Sequence, residues 1–494
     1  MTRLLLVMLL LAPCFSLAQR RPPKKLPLHR RIELLLASED ARGASWGIHV
    51  VDLKSRRVIY QHNATAHFTP ASNTKLFSTA LAIERLGPSY HFETTVRAPG
   101  PPDAAGVLHG DLRLVGGGDP TLSGREYPYR KDSEERDPLE PVGELADAVI
   151  RAGVKTITGN VVGDDRLYVY QPYPEGWTVD DTIWQYGADV TALPFNDGAF
   201  TLWVKPGESP DDPAIVETNP PVTPVILDNR VITAAANGEL RLDRLPGSAQ
   251  VRLTGAVSRP VRHQLAVGDS ALYAATVLHD TLTRRGVAIR GQPVSMHRYT
   301  VDEPFDPNGG IELARRQSPP LMELARMVNK VSQNLHAEIL LRETARIRAQ
   351  DPTRESGIKE LTAFLRQIGI PEYACHFEDG SGLSRRTLLS PSAITRLLEY
   401  MDGTAHREEW EALLPVGGED GTLSRRFDKT PDARAIRAKT GSLATVSALS
   451  GYLTTRRGRR LAFSIIANNQ TGPSSGVRRV IDRIGLALVA WEGK

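Results

Sequence analysis

Apolar residues near the N-terminus first alternate with polar residues and then recur at helical spacing. The alternation predicts two strands, at residues 47–53 and 58–61, joined by a polar turn. After a short loop, residues 72–86 carry apolar side chains three and four positions apart, which predicts a helix that ends at Gly87 and Pro88. This part of the chain is therefore predicted to be a hairpin followed by a helix.

The middle of the chain has a different pattern. From about residue 92 to residue 257, short β-like runs are separated by Gly, Pro and Asp, and a helix is predicted only at residues 142–152. Helical periodicity then returns in five segments: residues 271–285, 321–329, 335–345, 358–367 and 391–401. The chain closes with predicted strands at residues 444–453 and 461–468 and an amphipathic helix at residues 477–491.

These patterns predict an α+β protein with an interrupted domain. Hairpins near both chain ends suggest that the two ends meet in one mixed sheet, with helices packed on its faces. We therefore expect residues 32–91 and 260–494 to form one discontinuous domain. Residues 92–259 are expected to be a β-rich insertion, which needs only two neighbouring linkers at a surface turn.

The first 31 residues predict an export signal followed by a basic segment. Residues 1–18 contain Arg3, an apolar run and the small residues Ser16 and Ala18, which is typical of a signal peptide cleaved after residue 18. Residues 19–31 then carry six Lys or Arg side chains. We expect an exported protein of the periplasm or extracytoplasmic envelope in which this segment is solvated. Weak contact with a membrane surface or wall polymer is the alternative.

The composition is that of a globular protein. Of 494 residues, 41% are hydrophobic and 24% charged, and the net charge of +4 is too small to indicate a nucleic-acid partner. Cys14 and Cys375 are the two cysteines, so removal of the signal peptide leaves one thiol and no intramolecular disulfide. Although His376 follows Cys375, neighbouring side chains on an extended segment point in opposite directions, and we expect this thiol to be buried or inert.

Ser72 and Lys75 are the first candidate catalytic pair. They lie three residues apart at the predicted helix start, so the hydroxyl and the amine share one face of the helix. A neutral lysine there could accept the serine proton, and the helix N-terminus would favour a developing oxyanion. Taken alone, however, a serine at this position is equally typical of a helix cap.

Two further motifs are equally weak by themselves. Ser332 and Asn334 lie in a predicted loop between two helices, where a polar turn would be ordinary. Lys439, Thr440 and Ser442 precede the predicted strand at residues 444–453, and their cation and hydroxyls could bind a peptide carboxylate. A charged strand start is the simpler interpretation.

Together, in this order and context, the three motifs resemble the Ser-x-x-Lys, Ser-x-Asn and Lys-Thr-Gly signature of penicillin-binding proteins and serine β-lactamases. The resemblance implies a transpeptidase-like mixed α/β catalytic domain. Between Ser72 and Ser332 the chain is long enough to hold an additional domain, as in the D-alanyl-D-alanine carboxypeptidase/endopeptidase family, also called class C low-molecular-mass penicillin-binding proteins. Similar segments extend over about residues 30–490, including GGDPTL at 117–122, DGSGLS at 379–384 and LPVGGEDGTL at 414–423.

The resemblance implies that Ser72 attacks the carbonyl between two D-alanines and forms an acyl-enzyme. Lys75 would be the general base, and Ser332 would pass a proton between the leaving amine and Lys75 or Lys439. The substrates would be peptidoglycan peptides, with DD-endopeptidase activity left open, and β-lactam antibiotics would be inhibitors. No cofactor and no metal are implied.

The same resemblance assigns substrate-binding roles. Asn334 would bind the substrate amide, and Lys439, Thr440 and Ser442 would bind the terminal carboxylate. The backbone N–H groups of Ser72 and Ser442 would form the oxyanion hole, in which one donor is typically worth ~2.7–4 kcal/mol. Asp379 and Asp420 resemble family positions as well, and we expect them to support turns.

Other functions fit the sequence less well. A β-lactamase would share the acylation step, but the long insertion favours a wall peptidase. A non-catalytic sensor of wall peptides would not need every motif residue. The paired histidines of a zinc peptidase are missing, because no second histidine lies four residues from His336. The glycines at 116–118 precede Pro120 and no helix, which favours a turn over a phosphate-binding loop.

Overall fold

The computed structural model describes residues 26–245 and 247–493. The predicted signal peptide and the basic residues 19–25 lie outside the described part of the chain. A solvated segment was predicted up to residue 31. Residues 28–31 instead begin a helix, in which Leu28 and Ile32 are buried against the last helix of the chain. The first helix of the described part of the chain therefore starts at residue 28.

The elements before the insertion follow the predicted hairpin and helix. They are α1 (Leu28–Leu36), β1 (Ser45–Asp52), β2 (Val58–His62) and α2 (Lys75–Leu86). A short 3-10 helix, Ala71–Thr74, leads directly into α2, and Gly87 ends it with a φ of +89°. Glycine adopts such a conformation without the strain that a side chain would cause.

The middle region is rich in short strands. Its elements are β3 (Glu93–Ala98), β4 (Val107–Leu108), β5 (Leu112–Val115), α3 (Glu140–Arg151), β6 (Thr156–Ile157), β7 (Val161–Asp164), β8 (Ala199–Lys205), β9 (Ile215–Asn219), β10 (Ile226–Thr233), β11 (Leu240–Arg244), β12 (Gln250–Val257), β13 (Val261–Ala266), α4 (Ser270–Arg284), β14 (Ala288–Ile289), β15 (Pro293–Met296) and β16 (Ile311–Gln317). All of these elements except β15 contribute to one hydrophobic cluster, which is distinct from the two other clusters of the described chain.

The remaining elements are mostly helical until the last sheet strands. They are α5 (Leu321–Lys330), α6 (Asn334–Ala349), α7 (Arg354–Gln367), β17 (Cys375–His376), β18 (Leu388–Leu389), α8 (Pro391–Asp402), α9 (Arg407–Leu413), β19 (Ile436–Leu443), β20 (Val446–Thr454), β21 (Arg460–Asn468) and α10 (Ser474–Val489).

Both chain ends meet in one five-stranded sheet, as predicted. Its strand order is β19-β20-β21-β1-β2, and every pair is antiparallel, so the expectation of a mixed sheet is wrong. Alternate residues face opposite sides: Phe463 and Ile465 pack with α1 and α10, whereas Ala462 and Ile466 pack with α2, α5, α6 and α8. Helices cover both faces, and therefore β20 and β21 are almost entirely buried.

Strand pairing extends the insertion beyond the predicted residue 259. β13 pairs with β8, β15 pairs with β7, and β16 pairs with β3, so the inserted region closes only at about Gln317. Helix α4 packs against β7 and β15 and belongs to the same region. The helical pattern of α4 suggested a return to the catalytic domain, because local periodicity does not reveal which core a helix joins.

Candidate active site

Ser72 lies in a helical turn immediately before α2. This position agrees with the prediction, although the turn is a 3-10 helix over Ala71–Thr74 rather than the first turn of α2 itself. Gly382 packs against this turn with a φ of +77°, and a Cβ there would lie 1.9 Å from the carbonyl oxygen of Ala71. A glycine is therefore required at this contact, which holds the half-buried Ser72 in place.

The amine of Lys75 is within hydrogen-bonding distance of three groups. Its Nζ lies 2.9 Å from Ser72 Oγ, 2.6 Å from Asn334 Oδ1 and 2.7 Å from the carbonyl oxygen of Ser381. The first of these residues is on the same turn, whereas Asn334 begins α6 and Ser381 lies in the loop after β17. Tertiary packing thus directs the amine at the serine hydroxyl.

The pKa of Lys75 is strongly shifted. Complete burial lowers the pKa from 10.5 to about 7, because desolvation disfavours the ammonium form. The nearby carboxylates of Asp379 and Glu338 act in the opposite direction. A large fraction of this amine is therefore neutral at physiological pH, as a general base requires.

Ser332 and Lys439 form a second linked pair. Ser332 lies between α5 and α6 with a φ of 65°, and Lys439 Nζ donates to its Oγ at 2.8 Å. Lys439 also donates to the carbonyl oxygen of Thr440 at 3.0 Å. Burial, and then the charge of Lys75, lower the pKa of Lys439 well below its usual value. The charge of Lys75 therefore acts on Lys439 across the site.

The Lys-Thr-Gly motif precedes the strand predicted at residues 444–453, which is β20, but the motif is itself part of a strand, β19, that was not predicted. β19 is an edge strand of the five-stranded sheet and is antiparallel to β20. Lys439 and Gly441 are buried, whereas Thr440 and Ser442 lie on the more open face, as alternation along a strand requires. A Cβ on Gly441 would lie 2.5 Å from the carbonyl oxygen of Pro70. Glycine thus lets β19 pass directly beside the turn that carries Ser72.

Several groups at the site were not predicted as members of it. Tyr186 belongs to the inserted region, and its carbonyl oxygen accepts a hydrogen bond from Asn334 Nδ2 at 2.7 Å. Thr422 Oγ1 lies 2.8 Å from Thr440 Oγ1. The DGSGLS segment indicated that Ser381 is part of a family motif, but no local pattern marks Tyr186, since it contributes only its backbone.

Asp379 and Asp420 have the supporting roles expected of them. Asp379 accepts hydrogen bonds from the backbone N–H groups of Gly382 and Ser384 and from the Trp177 indole N–H. Asp420 accepts from Lys330 Nζ at 2.5 Å and from the Val416 N–H at 2.7 Å. Both carboxylates therefore fix loops that border the site.

Comparison with known proteins covers almost the whole fold and the site. The model of the D-Ala-D-Ala carboxypeptidase 3 (S13) family matches residues 28–487. The chain belongs to this family. A D-alanyl-D-alanine carboxypeptidase from Actinomadura sp. (strain R39) is 31% identical, covering 99% of this chain and 89% of its own. The carboxypeptidase DacB of Haemophilus influenzae is 26% identical, with 85% of each chain covered.

Solved structures of penicillin binding protein 4 (dacB) from Haemophilus influenzae share the fold. The first has a TM-score of 0.80 at 23% identity and covers 93% of this chain and 99% of its own. A second, complexed with a β-lactam, has a TM-score of 0.73, also at 23% identity, and covers 92% and 98%. The predicted family and fold class are thus confirmed, and this S13 family member is a serine peptidase and a D-Ala-D-Ala carboxypeptidase.

Two other observations complete the site of this carboxypeptidase. Within residues 26–245 and 247–493, no group of three or more His, Cys, Asp or Glu side chains is arranged to hold a metal. His336 instead lies in α6 with its Nε2 2.8 Å from Asp197 Oδ1. Cys375 is partly buried, and burial raises the pKa of its thiol to about 12, which fits the expected inert cysteine.

Proposed function

We propose that this carboxypeptidase removes the terminal D-alanine of peptidoglycan stem peptides through an acyl-enzyme on Ser72. The observation that carries the proposal is the 2.9 Å contact between Ser72 Oγ and Lys75 Nζ, whose pKa is lowered to about 7 by burial. A hydroxyl next to a largely neutral amine is an activated nucleophile.

The contacts of Lys75 support its role as general base. A neutral amine has two N–H bonds and one lone pair. Asn334 Oδ1 and the Ser381 carbonyl oxygen are acceptors only, so they take the two N–H bonds. The third direction, toward Ser72 Oγ, is then left for the lone pair. Lys75 can accept the Ser72 proton as the oxygen attacks the peptide carbonyl carbon.

Ser332 and Lys439 are suited to protonate the leaving group. When the tetrahedral intermediate collapses, the C–N bond breaks and the amine of the leaving D-alanine needs a proton. Ser332 can donate its hydroxyl proton and regain the proton that Lys75 took from Ser72, either directly or through the neutral amine of Lys439, whose Nζ lies 2.8 Å from Ser332 Oγ. Water then hydrolyses the Ser72 ester and releases the shortened peptide.

Thr440, Ser442 and Asn334 are proposed to bind the substrate. The hydroxyls of Thr440 and Ser442 lie on the open face of an edge strand, where they can reach a terminal carboxylate beside Lys439. Asn334 uses one N–H to bond Tyr186, which leaves its second N–H for a substrate carbonyl. The backbone N–H groups of Ser72 and Ser442 remain our proposal for the oxyanion hole, supported by the close approach of β19 to the Ser72 turn.

An extracytoplasmic location is part of the proposal. It is supported by the signal-peptide pattern of residues 1–18 and by the wall-linked substrate that the family implies. In the part of the chain that the structure describes, no helix has the length and hydrophobicity needed to cross a bilayer. Residues 28–31 of the basic segment belong to α1, and contact of this segment with a membrane surface is not part of the proposal.

Two measurements test this function. Fluorescent penicillin should label the wild-type protein covalently and persistently, whereas Ser72→Ala should not be labelled and an exposed control, Ser209→Ala, should be labelled like wild type. Mass spectrometry of wall fragments after incubation should show loss of one D-alanine from pentapeptides. Covalent labelling of Ser72→Ala would disprove the nucleophile, rapid turnover of the adduct would favour a β-lactamase, and absence of any labelling would favour a binding protein.

A further inference from the structure

The inserted region contains an open cavity that the proposed mechanism does not use. Its volume is about 480 Å³, which falls in the range of ~300–1,000 Å³ found for sites that bind small molecules. Its walls come from residues 170–182, from the turn between β11 and β12, and from the start of α4. None of these segments carries a residue of the three catalytic motifs, so the cavity is separate from the catalytic cleft.

Large apolar side chains line this cavity. Tyr170, Tyr173 and Trp177 come from the first of the three segments. Tyr173 is 40% exposed, and two aliphatic side chains of the lining, Val179 and Leu245, are 61% and 70% exposed. Exposed apolar groups that gather around a cavity indicate a binding site, whereas scattered ones do not.

Polar groups of the same lining retain hydrogen-bonding capacity. Burial raises the pKa of the Tyr170 and Tyr173 hydroxyls, so both are neutral, and among the described residues neither hydroxyl is hydrogen-bonded to another group. Arg244 uses three of its five N–H bonds on backbone carbonyl oxygens, at 2.6 and 2.7 Å, and has no carboxylate partner in the described chain. Two N–H bonds of Arg244 therefore remain for a ligand.

The charges of the lining favour a neutral ligand. Arg244 supplies one positive charge and Asp269 one negative charge. The Asp269 carboxylate already accepts hydrogen bonds from the Leu272 N–H at 2.8 Å and the Ser295 hydroxyl at 2.7 Å, and His297 Nε2 lies 3.5 Å away. The expected ligand therefore has no net charge, apolar faces that pack on the aromatic rings, and polar groups at its edge.

One chain segment connects this cavity with the active site. At its beginning, Trp177 lines the cavity and donates its indole N–H to Asp379 at 3.0 Å. Further along, the Tyr186 carbonyl oxygen accepts a hydrogen bond from Asn334 at 2.7 Å. The inference rests here on the proposed function, in which Asn334 binds a carbonyl of the stem peptide that acylates Ser72. The rest of that peptide therefore leaves the cleft on the side where this segment lies.

We propose that this cavity binds an N-acetylated amino sugar of the glycan strand to which the stem peptide is attached. The C–H face of a pyranose ring is apolar and can pack on an aromatic ring, while its hydroxyls and acetamide can bond the Tyr173 hydroxyl and the free N–H bonds of Arg244. Because the sugar lies far from the reacting bond, it is bound equally before and during the reaction. The contact should therefore lower KM and leave kcat nearly unchanged.

Two substrates that differ only in the sugar test the proposal: a pentapeptide attached to its N-acetylglucosaminyl-N-acetylmuramyl disaccharide, and the same pentapeptide with an acetylated N-terminus. For wild type we expect kcat/KM for D-alanine release to be about tenfold higher with the disaccharide, through a lower KM. Tyr173→Ala removes a partly exposed ring and its hydroxyl, and should lower this ratio at least about threefold. Tyr373→Ala, at a tyrosine that is 79% exposed and does not line the cavity, is the matched control and should keep the wild-type ratio.

The outcomes separate this inference from the proposed function. Penicillin carries no sugar, so its capture by each variant reports whether the protein is folded and Ser72 is intact. Equal kcat/KM values for the two substrates, or a wild-type ratio in Tyr173→Ala, would overturn the sugar site. A wild-type enzyme that neither captures penicillin nor releases D-alanine would instead contradict the proposed function. In that case NMR titration with di-N-acetylchitobiose, a neutral pair of such sugars, still decides whether the cavity binds them and whether Tyr173→Ala weakens the binding.

Discussion

The rate at which penicillin acylates Ser72 should depend on pH through Lys75. Burial lowers the pKa of Lys75 from 10.5 to about 7. At pH 7 a lysine with the ordinary pKa is neutral in only ~0.03% of molecules, whereas a pKa near 7 leaves about half of them neutral. Burial therefore increases the fraction of neutral Lys75, the form that can act as a base, on the order of 1,000-fold. We expect the rate to rise about tenfold per pH unit below about pH 6 and to level off above about pH 8, because deprotonated Lys75 is the active form.

The assay is the rate constant of fluorescent-penicillin capture between about pH 5 and pH 9, with the Tm recorded at each pH to confirm that the protein is folded. A variant tests independently in which direction a nearby charge shifts the midpoint of this pH profile. The charge of Glu338 raises the pKa of Lys75, so Glu338→Gln should move the midpoint to lower pH. The second lysine of the site, Lys439, should not produce a midpoint near pH 10, because its own pKa is also lowered. A rate that does not vary with pH, or a midpoint near the pKa of an ordinary lysine, would refute the reasoning.

Three further changes test the site and its support. Asn334→Ala removes the oxygen that lies 2.6 Å from Lys75 Nζ. Loss of a buried hydrogen-bond partner typically costs ~1–3 kcal/mol, so kcat/KM for D-alanine release should fall about 10- to 100-fold. A wild-type value of kcat/KM would show that Lys75 does not need this partner. Gly382→Ala places a methyl 1.9 Å from the Ala71 carbonyl oxygen, so calorimetry should show a lower Tm and penicillin capture should be slower; normal values of both would contradict this contact. Cys375, with a pKa raised to about 12, should react with iodoacetamide at pH 8 much more slowly than free cysteine, and Cys375→Ser should keep full penicillin capture.

The candidate catalytic residues could be named from the sequence because their motifs are short. Ser72 and Lys75 are three residues apart in one helical turn, so local geometry alone brings them together. The loop position of Ser332 also followed from the helices on either side. The position of the Lys-Thr-Gly motif before β20 was predicted correctly, but β19 itself was not predicted as a strand, because Ile436 and Arg437 follow turn-like residues and the strand shows no clear alternation.

The insertion shows where local pattern fails. Its β-rich texture was visible from residue 92 onward, but the end at about Gln317 depends on β16 pairing with β3, more than 200 residues earlier in the chain. Helix α4 carries a helical pattern that would fit either core. The core to which α4 belongs is decided by the apolar surfaces that it contacts in the folded chain. The periodicity of its own sequence does not indicate which surfaces these are.

The sequence by itself determined the family, the type of chemistry and most helices, because these depend on residue identity and on spacing within a few turns. Only the tertiary structure decided the electrostatics of the site. Lys75 becomes a base with a pKa of about 7 because distant segments bury it, and Asn334, 259 positions away, directs its amine. The sequence of residues 124–136 likewise gives no sign that Tyr129 in this segment contacts Gly421. Burial and long-range contacts are properties of the folded chain, whereas motifs are properties of neighbours.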